Sequence, residues 1–204
     1  MEAYRRGYGL QTRRIVTAHT VVVSCSAANG SRTSSVNILE TEHLIIRELR
    51  TNNDAEFVYE LLNTPKFIKY IGDRGVRSTD DAAGFIENRY RVSYQNNGFG
   101  LYVAERKSDS TAVGLCGFVK RDTLPGPDIG FAFLPEFEGL GYGFESADAM
   151  MAYGRDTLGF TRVLAITSLD NEASARLLIK LGFTENGLTD ADDGEKLRLF
   201  VSDM

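Results

Sequence analysis

Apolar and polar positions along the chain follow two periods, and the alternation becomes regular from Leu39 onward. Leu44-Ile45-Ile46-Arg47-Glu48-Leu49 reads as a strand. Phe57, Val58, Leu61 and Leu62 then share one face of a helix that Asn53 or Asp54 caps and that closes before Pro65. The Gly/Arg segment 72–77 reads as a loop. Ser78 or Thr79 caps a second helix, with Ala82, Phe85, Ile86 and Tyr90 facing inward. Strands are expected at 99–105, 112–120 and 128–134, separated by short polar or Pro/Gly turns. A helix running to about Leu158 sets Ala147, Met150, Met151, Gly154 and Leu158 at spacings of three and four. Residues 162–168 form a compact apolar strand, Asp170 or Asn171 caps a further helix that Gly182 ends, and one or two terminal strands finish with 195–202. Hairpin-length turns join the middle strands and helical crossovers join the later ones. The expectation is a single α/β unit with a mixed sheet.

Chemistry first shows between the strand 128–134 and the helix after it. There Pro135-Glu136-Phe137-Glu138 leads into Gly139-Leu140-Gly141-Tyr142-Gly143-Phe144. Glycines let the main chain approach a ligand closely, and the first turn of a helix offers unpaired N–H groups to an anion. The spacing by two is not the dinucleotide pattern, and no Gly-Lys-Ser/Thr follows as in a Walker loop. A tight strand-to-helix turn with no ligand explains the loop alone equally well. Further on, Asn171, Ser174, Leu177, Leu178 and Leu181 share a helical face, placing two polar side chains at the edge of an apolar stripe. A ligand would satisfy them. So would capping by Asn171 and a Ser174 hydroxyl bonded to the preceding turn.

Together these two segments, Pro-Glu-Phe-x-Gly-x-Gly-Tyr-Gly and Asn-x-x-Ser-x-x-Leu-x-x-Lys-x-Gly-Phe, resemble the GNAT N-acetyltransferases in their RimJ/RimL-type branch. Thr41 to Arg47 is similar to that branch's first strand, and Asp122–Pro135 to its third-to-fourth strand region. The resemblance covers about residues 39–203. It implies an α/β (α+β) fold with a mixed, mostly antiparallel central sheet, flanked by helices and splayed between its fourth and fifth strands, 128–134 and 162–168. It implies acetyl-CoA in that wedge, with pantetheine bonded along Ala132, Phe133 and Leu134. The pyrophosphate would rest on the N–H groups of Gly139, Leu140, Gly141, Tyr142, Gly143 and Phe144. Asn171 would hold pantetheine or a water, and Ser174 would protonate the departing thiolate. Asp128 and Glu195 are candidate bases for the acceptor ammonium, each also readable as a surface carboxylate. Arg74 and Arg77 of the 72–77 loop would bind an acceptor's anionic group or be simply solvated.

The implied reaction is transfer of acetyl from acetyl-CoA to a primary amine, on a peptide N-terminus or a small molecule. A CoA-binding module with little or no catalysis is the alternative, and a nucleotide-binding protein using the same cradle is a third. One departure favours the module. Where the family's loop begins with Gln or Arg, this chain has Glu138. At about 6 Å from a phosphate charge, an effective dielectric near 20 gives at most about 2–3 kcal/mol of repulsion.

Composition narrows the setting. The 204 residues are 43% hydrophobic and 25% charged, with no apolar run of membrane-spanning length. Cys25 and Cys116 give neither a disulfide framework nor a metal set, and with only His19 and His43 no metal is expected. Cys116 lies in an apolar run and reads as a core thiol. Residues 1–38 hold five arginines and Glu2, so the remainder carries a net charge of −9. An acidic body argues against nucleic acid as partner and suits an amine. Residues 1–38 read as an N-terminal extension, disordered or targeting, before a domain at 39–204. A cytoplasmic monomer or homodimer is expected, or a mitochondrial one if the Arg/Ser-rich segment is a transit peptide.

Overall fold

A computed structural model describes residues 36–191 and 194–204. The 1–35 part of the proposed extension, with its targeting reading, lies outside the described residues. Among the described residues, eight strands form one sheet in the order β1-β2-β3-β4-β5-β6-β8-β7. They are β1 (Asn37–Glu40), β2 (Leu44–Arg47), β3 (Leu101–Arg106), β4 (Thr111–Val119), β5 (Asp128–Phe133), β6 (Arg162–Ser168), β7 (Thr184–Asp190) and β8 (Lys196–Asp203). Every pairing is antiparallel except β5 with β6. The expected mixed, mostly antiparallel sheet flanked by helices is therefore present. β1 adds a strand ahead of those read from the sequence, so the expected fourth and fifth strands are β5 and β6.

Among the described residues, six α-helices flank the sheet: α1 (Ala55–Leu62), α2 (Pro65–Tyr70), α3 (Thr79–Phe85), α4 (Val92–Asn97), α5 (Tyr142–Asp156) and α6 (Glu172–Lys180). Two apolar layers form, one per face. On one, α5 and α6 bury Ala147, Met150, Ala175 and Leu178 against Cys116, Phe118, Ile129, Val163, Ala165 and Phe200. On the other, α1 to α3 and the turn after them bury Val58, Leu61, Phe67, Ala82 and Ile86 against Val103, Leu115 and Leu134.

Local structure departs from expectation where short-range signals compete. Asp54 stands at the N-cap of α1 but makes no side-chain cap bond. Its carboxylate instead accepts both terminal nitrogens of the buried Arg47, each at 2.8 Å, and the Arg50 N–H at 2.6 Å. Arg47 also donates to Glu105 at 2.7 Å. Burial opposes the Arg47 charge, but these two carboxylates outweigh it and raise its pKa. α2 lies outside the sequence expectation, which ends a helix before Pro65 and starts none there. The Thr64 hydroxyl accepts the Phe67 N–H at 3.3 Å, and Pro65 occupies the first helical position, where its missing N–H costs nothing. Between α3 and α4 the helix widens into a π turn, Ile86–Arg91. Ala82, Ile86 and Tyr90 are buried four residues apart; that spacing drifts around a 3.6-residue helix, and the wider turn brings it back to one face.

Candidate active site: a wedge between two parallel strands

β5 and β6 are joined at a single register pair, Asp128 with Leu164, and the Leu164 N–H bonds the Pro127 carbonyl at 2.9 Å. Both strands continue past that point, β5 to Phe133 and β6 to Ser168, without further pairing. The sheet opens there into a wedge whose closed end is Asp128 and Leu164. The glycine loop leaves one lip and α6 starts from the other.

Register decides which backbone groups line the opening. The Leu134 N–H bonds the Val113 carbonyl at 3.0 Å, so residues 134 and 132 turn their main-chain groups toward β4. Alternation then turns those of Phe131 and Phe133 toward β6, where β6 has diverged. On the other lip the Leu164 bond sets the same alternation, so Ile166 and Ser168 face the wedge. Of Ala132, Phe133 and Leu134, only Phe133 thus turns its main-chain groups to the opening. Ala132 and Leu134 direct their main-chain groups to β4. Phe131, which sequence reasoning missed, faces the opening as well; only the pairing register reveals it. Ser168 also escaped notice, and its hydroxyl oxygen is buried with no hydrogen-bond partner among the described residues.

The loop after β5 is built to expose donors. Pro135–Phe137 make one 3₁₀ turn, and Gly139 and Gly141 take φ of 74° and 94°. These left-handed conformations suit glycine and strain any residue with a Cβ. Gly141 is the N-cap of α5, and no side chain caps that end. The N–H groups of Tyr142, Gly143 and Phe144 are therefore first-turn donors with no intrahelical acceptor, and residues 138–141 are exposed. Glu145, in the same turn, is occupied elsewhere: it accepts Thr41 Oγ1 at 2.5 Å, the His43 N–H at 2.7 Å and His43 Nδ1 at 3.0 Å. Burial pushes its pKa up, but those bonds outweigh burial and hold it below the usual value.

α6 borders the other lip. A Cβ on Gly143 would lie 3.5 Å from Leu177, so the start of α5 and the middle of α6 are in contact range. Asn171 Oδ1 accepts the Ser174 N–H at 3.1 Å, so Asn171 does serve as a cap. That bond uses its oxygen and leaves the side-chain amide nitrogen outside it. Both residues are half-buried.

The two expected bases are far apart. Asp128 is buried at the closed end, and Arg121 Nε lies 3.2 Å from each carboxylate oxygen. Burial raises its pKa, and Arg121 offsets this only in part. Glu195 is exposed in the turn joining β7 to β8, where its carbonyl accepts the Ala191 N–H at 2.8 Å. Val201 of β8 pairs with Leu164, and Glu195 lies six residues before it, roughly 20 Å along the strand. One wedge site cannot use both directly. In the 72–77 loop, Asp73 binds Arg77 at 2.5 Å, and Arg74 donates to the Ile71 carbonyl at 3.1 Å. Cys116 is fully buried and its thiol is pushed up to about 12 by burial, so it is no nucleophile. No cluster of metal-ligating side chains occurs among the described residues, and no helix there is long and apolar enough to cross a membrane.

A groove of about 670 Å³ lies on the β4 side of β5, lined by Arg47, Asp54, Glu105, Leu134 and Phe137 among others. Of its polar lining, Arg47, Asp54 and Glu105 satisfy one another. The wedge instead presents main-chain groups and a helix start with no hydrogen-bond partner among the described residues, and on that ground it is the candidate site.

Residues 43–184 match the Acetyltransferase (GNAT) domain family. The chain belongs to the GNAT acetyltransferases. The Bacillus subtilis (strain 168) protein YoaA, described as an uncharacterized N-acetyltransferase, is 31% identical over 152 residues, covering 74% of this chain and 85% of YoaA. Among solved structures, a GNAT-family acetyltransferase from Bacillus anthracis is similar at 24% identity and a TM-score of 0.67, covering 80% of this chain and 96% of the other. RimL, a ribosomal L7/L12 α-N-protein acetyltransferase solved with coenzyme A, is similar at 16% identity and a TM-score of 0.71, covering 83% and 98%. At such identities these likenesses speak to the fold. The family match makes the chain an acetyltransferase.

Proposed function

We propose that the domain at 39–204 binds acetyl-CoA in the β5–β6 wedge and transfers its acetyl group to a primary amine, on a peptide N-terminus or a small molecule. The carrying observation is the divergence of β5 and β6 beyond Asp128 and Leu164, with an uncapped helix start at one lip. Acetyl-CoA supplies an activated thioester. The chain's own work is to hold and align it. Phe131 and Phe133 would bond pantetheine as an added strand edge, and the N–H groups from Gly139 to Phe144 would cradle the pyrophosphate. A wedge-facing main-chain N–H of β5 would polarise the thioester carbonyl.

The acceptor nitrogen then attacks the carbonyl carbon, the C–N bond forms, the C–S bond breaks and the thiolate takes a proton. Ser174 of α6 would give that proton, and positioning would supply the larger share of rate. Asp128 is the better candidate base because it stands at the closed end of the wedge and burial raises its proton affinity. RimL and the acetyltransferase MccE, the latter solved with acetyl-CoA and AMP, share the fold and act as guides to acceptor classes worth testing. The test is release of free CoA thiol with a panel of N-terminal peptides and small amines. Turnover with one acceptor class and tight acetyl-CoA binding are expected. Binding of acetyl-CoA without turnover on any acceptor would refute the assignment.

A further inference from the structure

α2 touches both lips of the wedge. Lys66 forms an ion pair with Glu138, the residue that heads the glycine loop. Lys69, three positions on, binds Asp170 at 2.7 Å in the turn between β6 and α6. Residues three apart project from one side of a helix, so both ammonium groups look toward the same opening. The mount is fixed at its base: Thr64 caps α2 and Phe67 is buried in the core. The tips remain wet, with the Lys66 and Lys69 side chains 61% and 57% exposed.

This geometry changes the meaning of Glu138. Taken alone it is an anion where the cofactor's anion should arrive. Paired with Lys66 it is half of a neutral couple at the head of the glycine loop. A lysine ammonium has three donors, enough to serve a carboxylate and a phosphate oxygen together. We propose that Lys66 is a cofactor-binding residue, its ammonium bridging Glu138 and the pyrophosphate of coenzyme A. Glu138 then holds the lysine in place, and α2 supplies the cation that the loop itself lacks. The inference rests on the acetyl-CoA reading above.

Calorimetric titration of the full chain with CoA and with pantetheine, which lacks the pyrophosphate, tests it. Lys66→Met should weaken CoA binding about tenfold by losing an attraction and uncovering Glu138. Pantetheine affinity should not change, and Lys66→Arg should stay within about threefold of wild type by keeping the charge. Glu138→Gln removes a repulsion and a positioning contact at once, so it should shift wild-type affinity by less than about twofold. In the Lys66→Met background only the repulsion is left to remove, and Glu138→Gln should recover about fivefold. Unchanged CoA binding by Lys66→Met would overturn the proposal, as would an equal loss for pantetheine. So would Glu138→Gln tightening wild type as much as it tightens Lys66→Met. Failure of the wild type to bind CoA at all is a different result, and it would overturn the acetyl-CoA reading itself.

Discussion

Replacing Gly141 by alanine separates a cradle from an ordinary turn. Gly141 sits at φ 94°, and a Cβ added there would meet nothing within 4 Å, so the cost of alanine is conformational and not steric. A left-handed conformation costs a residue with a Cβ about 1–2 kcal/mol. If the loop keeps its shape, folding stability falls by that amount and CoA affinity is unchanged. If the loop relaxes instead, stability is spared and the ligand must restore the cradle, which weakens binding about 5- to 30-fold. The two losses should therefore sum to about 1–2 kcal/mol however they divide. Gly143→Ala is the matched control. It has ordinary helical φ, and its Cβ would lie 3.5 Å from Leu177 and 3.6 Å from Phe133, which is normal contact. That variant should bind and fold nearly as wild type. Urea denaturation and calorimetry with CoA read both quantities. A Gly141→Ala protein that loses neither, or a Gly143→Ala protein that loses as much, would refute the reasoning.

Two further outcomes follow from buried charge. Asp128→Asn should lower kcat and remove the acid limb of the pH–rate profile, a limb that lies above the usual carboxylate range because burial raises this group. In stability the sign is fixed by linkage. The folded value is above the ordinary 3.8, so Asp128's contribution is fully present below 3.8 and is lost as pH rises through the folded value. The asparagine variant should gain on wild type across that window in pH-dependent denaturation. Asp54→Ala should cost about 3 kcal/mol in urea denaturation, since it strips two bonds from a buried guanidinium and leaves it only the Glu105 carboxylate and the Glu48 carbonyl; a loss below about 0.5 kcal/mol would contradict the role given to the network.

Sequence revealed the parts of this fold that are long or chemically marked. β4, β6, α5 and α6 repeat their apolar residues over seven or more positions, and their limits fall within a few residues of expectation. The glycine loop and the Asn171–Ser174 pair drew attention because polar or flexible residues sat where packing alone would not put them. Short elements escaped. β1 has four residues and α2 six, too few for either period to show. Thr64-Pro65 does carry a helix-start signal for α2, but the same proline equally ends the helix before it, and that signal dominates. Facts made by long-range contact were invisible: the Lys66–Glu138 pair joins residues 72 apart, and the pairing register that turns Phe131 rather than Ala132 into the wedge belongs to two strands at once. That Asp128 and Glu195 stand at opposite ends of the sheet is likewise visible only in the strand pairing.

Amide-resolved NMR of the full chain during titration with CoA tests the wedge most directly. The account predicts that the N–H signals of Phe131, Phe133, Tyr142, Gly143 and Phe144 shift and gain protection from exchange, with Ala132 and Leu134 little changed in protection. Saturating CoA that leaves those five amides unmoved, and instead perturbs the groove of Arg47, Asp54 and Phe137, would contradict it.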